Sequence, residues 1–252
     1  MNYKKNNGTD IGNLKKGYEI MKKIFGDKIW EKIFSSREWG KYPPEEVIRF
    51  YSKVKNMLNK NKIEVLDIGC GIGACTWFMA KEGGNVTAVD GSPSAIKRVQ
   101  EILKEFNIAE DKVTLILGDI TLPKSFVPIH KKFDIILDNY SLYANPYDKI
   151  INAYKDYYDY LSNNGFFLTN NFGLKTTGYG TGEKFSNNTY RNVEKGPLKM
   201  RGLVTFWERE KLTHLLESFG YNIFYTELIL EEREGALIEK LVTCLCKKII
   251  KR

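Results

Sequence analysis

The stretch that most constrains this chain is Val65-Leu-Asp-Ile-Gly-Cys-Gly-Ile-Gly73. A short apolar run leads directly into three glycines at every second position, and the helix-forming segment Ala74–Lys81 follows at once. An apolar run that does not alternate with polar residues reads as a strand covered on both faces. Glycines let the backbone reverse tightly and approach a ligand closely, and the N-terminus of the helix beyond them favours negative groups.

The same texture recurs downstream. Glu64–Ile68, Asn85–Val89, Val113–Leu117, Phe133–Leu137 and Gly165–Thr169 read as buried strands. Between them lie the helical stretches Ala74–Lys81, the segment carrying Ala95, Ile96, Val99, Ile102, Leu103 and Phe106, and Tyr147–Leu161. Strands alternating with helices predict a parallel sheet with helices on both sides. Glu208–Phe219 returns to helix. Ile223–Leu230 and Lys240–Cys246, around the turn Glu231-Glu-Arg-Glu-Gly235, read as a terminal antiparallel hairpin. Residues 1–60 read as a helical N-terminal extension: Leu14, Tyr18, Met21 and Phe25 recur at helical spacing, as do Val47, Tyr51, Val54 and Leu58. The breaker Trp39-Gly-Lys-Tyr-Pro-Pro44 separates the two runs. A glycine- and polar-rich segment at about 173–205 is too long for a simple connection and reads as a lid or binding loop. The expectation is an α/β fold: a doubly wound, mostly parallel seven-stranded sheet over residues 61–252, closing in a C-terminal antiparallel hairpin.

Gly69-x-Gly71-x-x-Ala74 also satisfies the dinucleotide pattern of nicotinamide enzymes, so the glycines alone do not decide. Asp67 stands two residues before the first glycine, where a carboxylate repels a pyrophosphate and welcomes an ammonium-bearing ligand. Gly73 supplies the tighter Gly-x-Gly-x-Gly spacing. With these residues the sequence resembles the Rossmann-like, class I S-adenosylmethionine-dependent methyltransferases, whose first motif is a strand, an acid, and Gly-x-Gly-x-Gly.

The resemblance extends over most of the chain. Val86-Thr-Ala-Val-Asp90 looks like the second strand ending in the acid that chelates the ribose hydroxyls, with Gly91 and Ser92 beside it. It falls about twenty residues after the first motif, as ribose recognition in such folds requires. Asp119 and Ile120 resemble the acid and backbone amide that meet the adenine edge, and Asp138 and Asn139 the motif beside the methionine moiety. The family picture also puts Trp39 and Tyr42 of the N-terminal cap near the cofactor. Implied, then, is a site for S-adenosylmethionine, with S-adenosylhomocysteine as product, built from Asp67, Gly69, Gly71, Gly73, Asp90, Asp119 and Asp138. Each acid also has a structural reading: Asp90 as an Asx turn, Asp119 as a helix cap, Asp138 as a solvated strand end.

The acceptor is less sharply written. Net charge is +8, but eight arginines stand against 31 scattered lysines, and a diffuse lysine excess speaks for solubility more than for a nucleic-acid footprint. Asp138-Asn-Tyr-Ser-Leu-Tyr143 lacks the proline pair of base-modifying amino-methyltransferases, so nucleic acid is a poor fit. The fifth strand is followed by Asn170-Asn171, without the second acid that metal-assisted relatives carry there, and no metal is expected. Gly178-Tyr-Gly-Thr-Gly182 and Trp39-Gly-Lys-Tyr-Pro43 look like segments of bacterial small-molecule methyltransferases, some acting on surface-polysaccharide precursors. The expected acceptor is a small polar metabolite methylated on oxygen in preference to nitrogen; the alternative is RNA or protein. Tyr140, Tyr179 and His214 are the candidate catalytic side chains. With no apolar run of membrane-helix length, no signal-peptide core at Met1 and four cysteines without metal or disulfide spacing, the expected location is the cytoplasm.

Overall fold

A computed structural model describes residues 29–36 and 39–247. The helical run read at Leu14–Phe25 lies outside the described residues. Seven strands form one sheet in the order β3-β2-β1-β4-β5-β10-β9. These are β1 Ile63–Ile68, β2 Gly84–Asp90, β3 Val113–Leu117, β4 Phe133–Asn139, β5 Leu161–Phe172, β9 Asn222–Arg233 and β10 Ala236–Cys246. The first five pair in parallel, and β10 runs antiparallel to both β5 and β9. The order reverses between β1 and β4, so their carboxyl ends diverge into the crevice where open α/β sheets take ligands.

The helices are α1 Ile29–Ser36, α2 Glu45–Leu58, α3 Ala74–Lys81, α4 Pro93–Glu105, α5 Tyr147–Tyr160 and α6 Arg209–Ser218. Residues of α2, α3 and α4, among them Phe50, Met79 and Val99, share one buried layer with Val65, Ile135 and Leu168 of the strands. The opposite layer joins Ile150, Tyr154 and Tyr157 of α5 and Leu212 and Leu216 of α6 to Leu66, Ile136 and Phe167. Alternate residues of each strand thus feed opposite layers, which is why the strands are apolar throughout. Helix α2 is part of the main core rather than a detached extension: Val47, Phe50, Tyr51 and Val54 are buried against the sheet.

The segment read as a lid is an ordered unit rather than an open loop. Strands β6 Glu183–Ser186, β7 Thr189–Arg191 and β8 Leu203–Thr205 form a small antiparallel sheet. Its core of Tyr190, Val193, Leu198, Val204 and Phe206 is continuous with Tyr143 after β4 and Phe172 at the end of β5. Among the described residues, no helix is long and apolar enough to cross a membrane. All four cysteines are buried and none of them is in a disulfide.

Candidate cofactor site and acceptor mouth

The glycine turn follows β1. Gly69, Gly71 and Gly73 all adopt left-handed φ values of 63°, 53° and 90°, which side chains with a Cβ rarely adopt. Two of them also allow close packing. A Cβ on Gly69 would fall 2.3 Å from the Cβ of Ser141, and one on Gly73 would fall 2.9 Å from Val99. Gly71 is roofed by the ring of Phe34 from α1.

Around this turn the strand-end acids are held by specific donors. Asp90 accepts the Gly71 N–H at 2.9 Å on one oxygen and the Ser92 N–H at 2.8 Å on the other. The glycine turn and the end of β2 therefore share one carboxylate. Burial pushes the Asp90 carboxyl up to about 6, opposed by those amide donors and raised further by the nearby Glu31. Asp67 is fully enclosed and accepts the Thr76 hydroxyl at 2.6 Å. Burial, with Asp90 and Asp138 adding repulsion, pushes it up to about 7. Asp119 accepts the Thr121 N–H at 2.8 Å and hydroxyl at 2.7 Å. Asp90 and Asp119 make the Asx turns that such positions favour, and each keeps 8% of its surface open.

Glu31 of α1 ties the cap to this region. It accepts the Ser92 hydroxyl at 2.5 Å, the Ser94 hydroxyl at 2.6 Å and the Ser94 N–H at 3.2 Å. Ser92 in turn caps α4 through the Ala95 N–H at 3.0 Å, so its hydroxyl is committed to protein. Trp30, Phe34 and Trp39 form an aromatic cluster with ring centroids 5.7–6.3 Å apart. Trp39 thus joins the group that roofs the glycine turn. Ile120 also lies beside the turn, its side chain 3.5 Å from where a Gly69 Cβ would stand.

Four predicted site residues are placed otherwise. Asp138 is fully buried and spent on protein. One of its oxygens takes the Ser141 hydroxyl and the Ser141 and Leu142 amides; the other takes the Thr169 hydroxyl at 2.8 Å. It is a staple for the turn after β4 and neither a solvated strand end nor an open ligand contact. Tyr42 is 66% exposed and packs edge-on against the stacked Trp77–Phe106 pair on the outer side of α3 and α4. Tyr179 is built into the small sheet, against Tyr190 and Phe206, with its hydroxyl on Asn188. His214 is exposed on α6, because Leu212 and Leu216 occupy the inward stripe and the residue midway between them points out.

Tyr140 stays at the end of β4, in a left-handed conformation with φ 53°. Its ring lies 4.8 Å from that of Phe172 and its hydroxyl donates to Glu46 of α2 at 3.3 Å. Burial, with the Glu46 carboxylate adding to it, pushes its pKa up, so it stands as a protonated donor and not as a base. The three catalytic candidates do not converge.

Sequence reasoning missed Glu31, Phe34, Ser141 and Asn170. Asn139 accepts the Asn170 amide N–H at 3.0 Å and donates to Cys75 Sγ at 3.6 Å, which leaves the buried Asn170 Oδ1 without a partner. Only Ser141 carried a readable signal, since it stands three residues after Asp138 at the start of a 3₁₀ turn.

The residues present fit the expected cofactor: carboxylates at the ends of β1, β2 and β3 match a ligand rich in hydroxyl and ammonium donors, and the turn between them lacks side chains. Comparison with known proteins agrees. A family described as "Methyltransferase domain" matches residues 59–220. The chain is 30% identical over 153 residues to a putative ribosomal RNA large subunit methyltransferase of Methanocaldococcus jannaschii, covering 57% of this chain and 40% of that one. It is 38% identical over 74 residues to a probable cobalt-precorrin-6B C(15)-methyltransferase of Methanobrevibacter smithii, covering 29% and 38%. The matched segments therefore span less than half of these curated relatives. In fold, it is similar to the 1,6-didemethyltoxoflavin-N1-methyltransferase of Burkholderia thailandensis, solved with S-adenosylhomocysteine, with TM-score 0.58 and 15% identity over 97% of this chain and 92% of that one. With motif, topology and family match in agreement, the chain belongs to the S-adenosylmethionine-dependent methyltransferases.

Proposed function

We propose that this protein transfers the methyl group of S-adenosylmethionine to an oxygen, in preference to a nitrogen, of a small polar metabolite. The observation that carries the reading is Asp90, which links the glycine turn to the end of β2 and keeps a carboxylate edge open beneath the α1 cap. In the proposed complex Asp90 accepts the ribose hydroxyls, Asp119 and the Ile120 amide meet the adenine edge, and Asp67 and Asn139 face the methionine end. S-adenosylmethionine supplies a methyl on a sulfonium, already activated for displacement. The protein then has to align the acceptor and exclude water, and positioning of this kind is worth about 7–11 kcal/mol in favourable cases. Phe34 and Trp39 of the cap and the folded segment at 173–205 supply the enclosure.

The lysines, tyrosines and asparagines of the 173–205 segment suit a sugar, a nucleotide-linked compound or a phosphorylated precursor, including those of bacterial surface polysaccharides. Four buried cysteines outside any disulfide fit a reducing compartment such as the cytoplasm. Incubating the protein with S-adenosylmethionine and a metabolite pool, then searching by mass spectrometry for a compound that gains one methyl, tests the reading. No methylated metabolite and no S-adenosylhomocysteine would reject it. Methylation of RNA or protein is the second reading, favoured by the ribosomal RNA methyltransferase relative and the net charge of +8. RNA gel shifts across a salt series separate the two, because phosphate contacts give a steep salt slope.

A further inference from the structure

The described arginines divide into two groups. Arg49, Arg98, Arg209 and Arg233 each have a carboxylate partner. Arg191 and Arg201 have none among the described residues, and both belong to the small sheet and its turns. Arg201 is the one that reaches the cap. Its guanidinium lies over the Trp39 ring, 5.4 Å from the centroid. It also stands beside the buried hydroxyl of Tyr143, whose pKa it opposes against the upward push of burial.

The backbone fixes this placement. Met200 adopts φ 56° and donates its N–H to the Val193 carbonyl at 2.9 Å, while Gly202 adopts φ 76°. Arg201 is held between two left-handed residues and leaves the sheet towards Trp39. The third member of the group is the indole of Trp39, whose Nε1–H is buried with no hydrogen-bond partner among the described residues. An unpaired buried donor is uncommon and costly unless a ligand completes it.

Arg201, the Tyr143 hydroxyl and the Trp39 indole therefore bring a guanidinium, an O–H and an orphaned N–H to one junction of cap, small sheet and β4. Among the described residues no carboxylate pairs with Arg201; Asp138, which acts on the Tyr143 hydroxyl, is itself held by Ser141, Leu142 and Thr169. Stacking on the indole covers one face of the guanidinium, and the N–H groups not turned to the Tyr143 hydroxyl remain for a partner. We propose that Arg201, with Trp39 and Tyr143, binds a phosphate group carried by the methyl acceptor. The inference rests on the methyltransferase reading above and narrows its acceptor to phosphate-bearing compounds.

The test is an NMR titration of the full chain with inorganic phosphate, with and without saturating S-adenosylhomocysteine. It follows the arginine Nε–H and tryptophan indole N–H signals, assigned through Arg201→Lys and Trp39→Phe. Saturable shifts of the Arg201 and Trp39 signals are expected. Arg201→Gln should weaken phosphate binding about tenfold or more, with Arg201→Lys in between. Affinity for S-adenosylhomocysteine, measured by calorimetry, should stay level in Arg201→Gln and report that the variant is folded. Linear, non-saturating shifts, or equal phosphate binding in wild type and Arg201→Gln, overturn the proposal. A loss of S-adenosylhomocysteine affinity in Arg201→Gln overturns it too, because Arg201 would then serve the cofactor's carboxylate. Wild-type protein that binds S-adenosylhomocysteine but not phosphate refutes this inference alone. Failure to bind S-adenosylhomocysteine refutes the methyltransferase reading with it.

Discussion

Asp90 takes part in folding and, in the proposed complex, in binding, and its ionisation sets the two against each other. Its folded pKa, about 6, lies above the ordinary carboxylate value, so between roughly pH 4 and 6 the folded state holds a proton that the unfolded state releases. Its effect is to lower stability as pH rises through that window and to leave it level above. Asp67, at about 7, extends the same trend upward. Chemical denaturation of the ligand-free protein should therefore show a pH dependence that is shallower between about pH 4 and 6 in Asp90→Asn, with the Asp67 part remaining; an unchanged slope would contradict the assigned burial cost. Binding follows the opposite sign, because ribose hydroxyls donate to the ionised form. Affinity for S-adenosylhomocysteine should drop as pH falls through about 6. Gly69→Ala has another cause of damage: its new Cβ meets Ser141 at 2.3 Å in a left-handed backbone. A loss of about 2 kcal/mol or more is expected, read as a lowered Tm. Removing His214 should change neither stability nor S-adenosylhomocysteine binding, given its exposure on α6. The positions of the acids at 67, 90 and 119, at or just past the ends of β1, β2 and β3, were legible because apolar runs and glycine spacing mark those strand ends. Asp138 was misread because its partners, Ser141, Leu142 and Thr169, come from a turn and a neighbouring strand. No local pattern distinguishes a carboxylate saturated by its own protein from one left open.

At the level of elements, apolar runs and helical periodicity located every strand of the main sheet within a few residues, and α3 and β3 to the residue. Strand β5 extends further than its apolar core, from Leu161 to Phe172, because Asn170 and Asn171 continue to pair with β10 despite their polarity. The small sheet was unreadable for a related reason. Its strands are only three or four residues long, and pairing across them, including the Thr189–Thr205 hydroxyl contact at 2.7 Å, replaces any periodic signal. Glu31 could not be anticipated either, since its three donors sit about sixty residues downstream. Those bonds make α1 a docked roof over the glycine turn. Glu31→Ala should free it: proteolytic cleavage within the N-terminal segment should accelerate, and S-adenosylhomocysteine affinity should fall several-fold while the main sheet's unfolding midpoint moves little. Unaltered cleavage and affinity would show that Glu31 does not hold the cap.

For the whole molecule, the reversal of strand order between β1 and β4 concentrates acids at one edge of a protein whose net charge is +8. The global sign of charge thus says little about the site, where local carboxylates decide which ligand is accepted. On the proposal made for Arg201, a donor-rich junction would take the acceptor's phosphate while the carboxylates take the cofactor, so the two would be sorted by opposite electrostatics. The central claim is that the acids around the glycine turn form the S-adenosylmethionine site. Titration calorimetry of S-adenosylhomocysteine into wild type and Asp90→Asn tests it most directly. The prediction is saturable one-to-one binding by wild type, weakened about tenfold or more in the variant, since hydrogen bonds to a charged group carry about 1.5–3 kcal/mol. No binding by the wild type, or equal affinity in the two proteins, would contradict it.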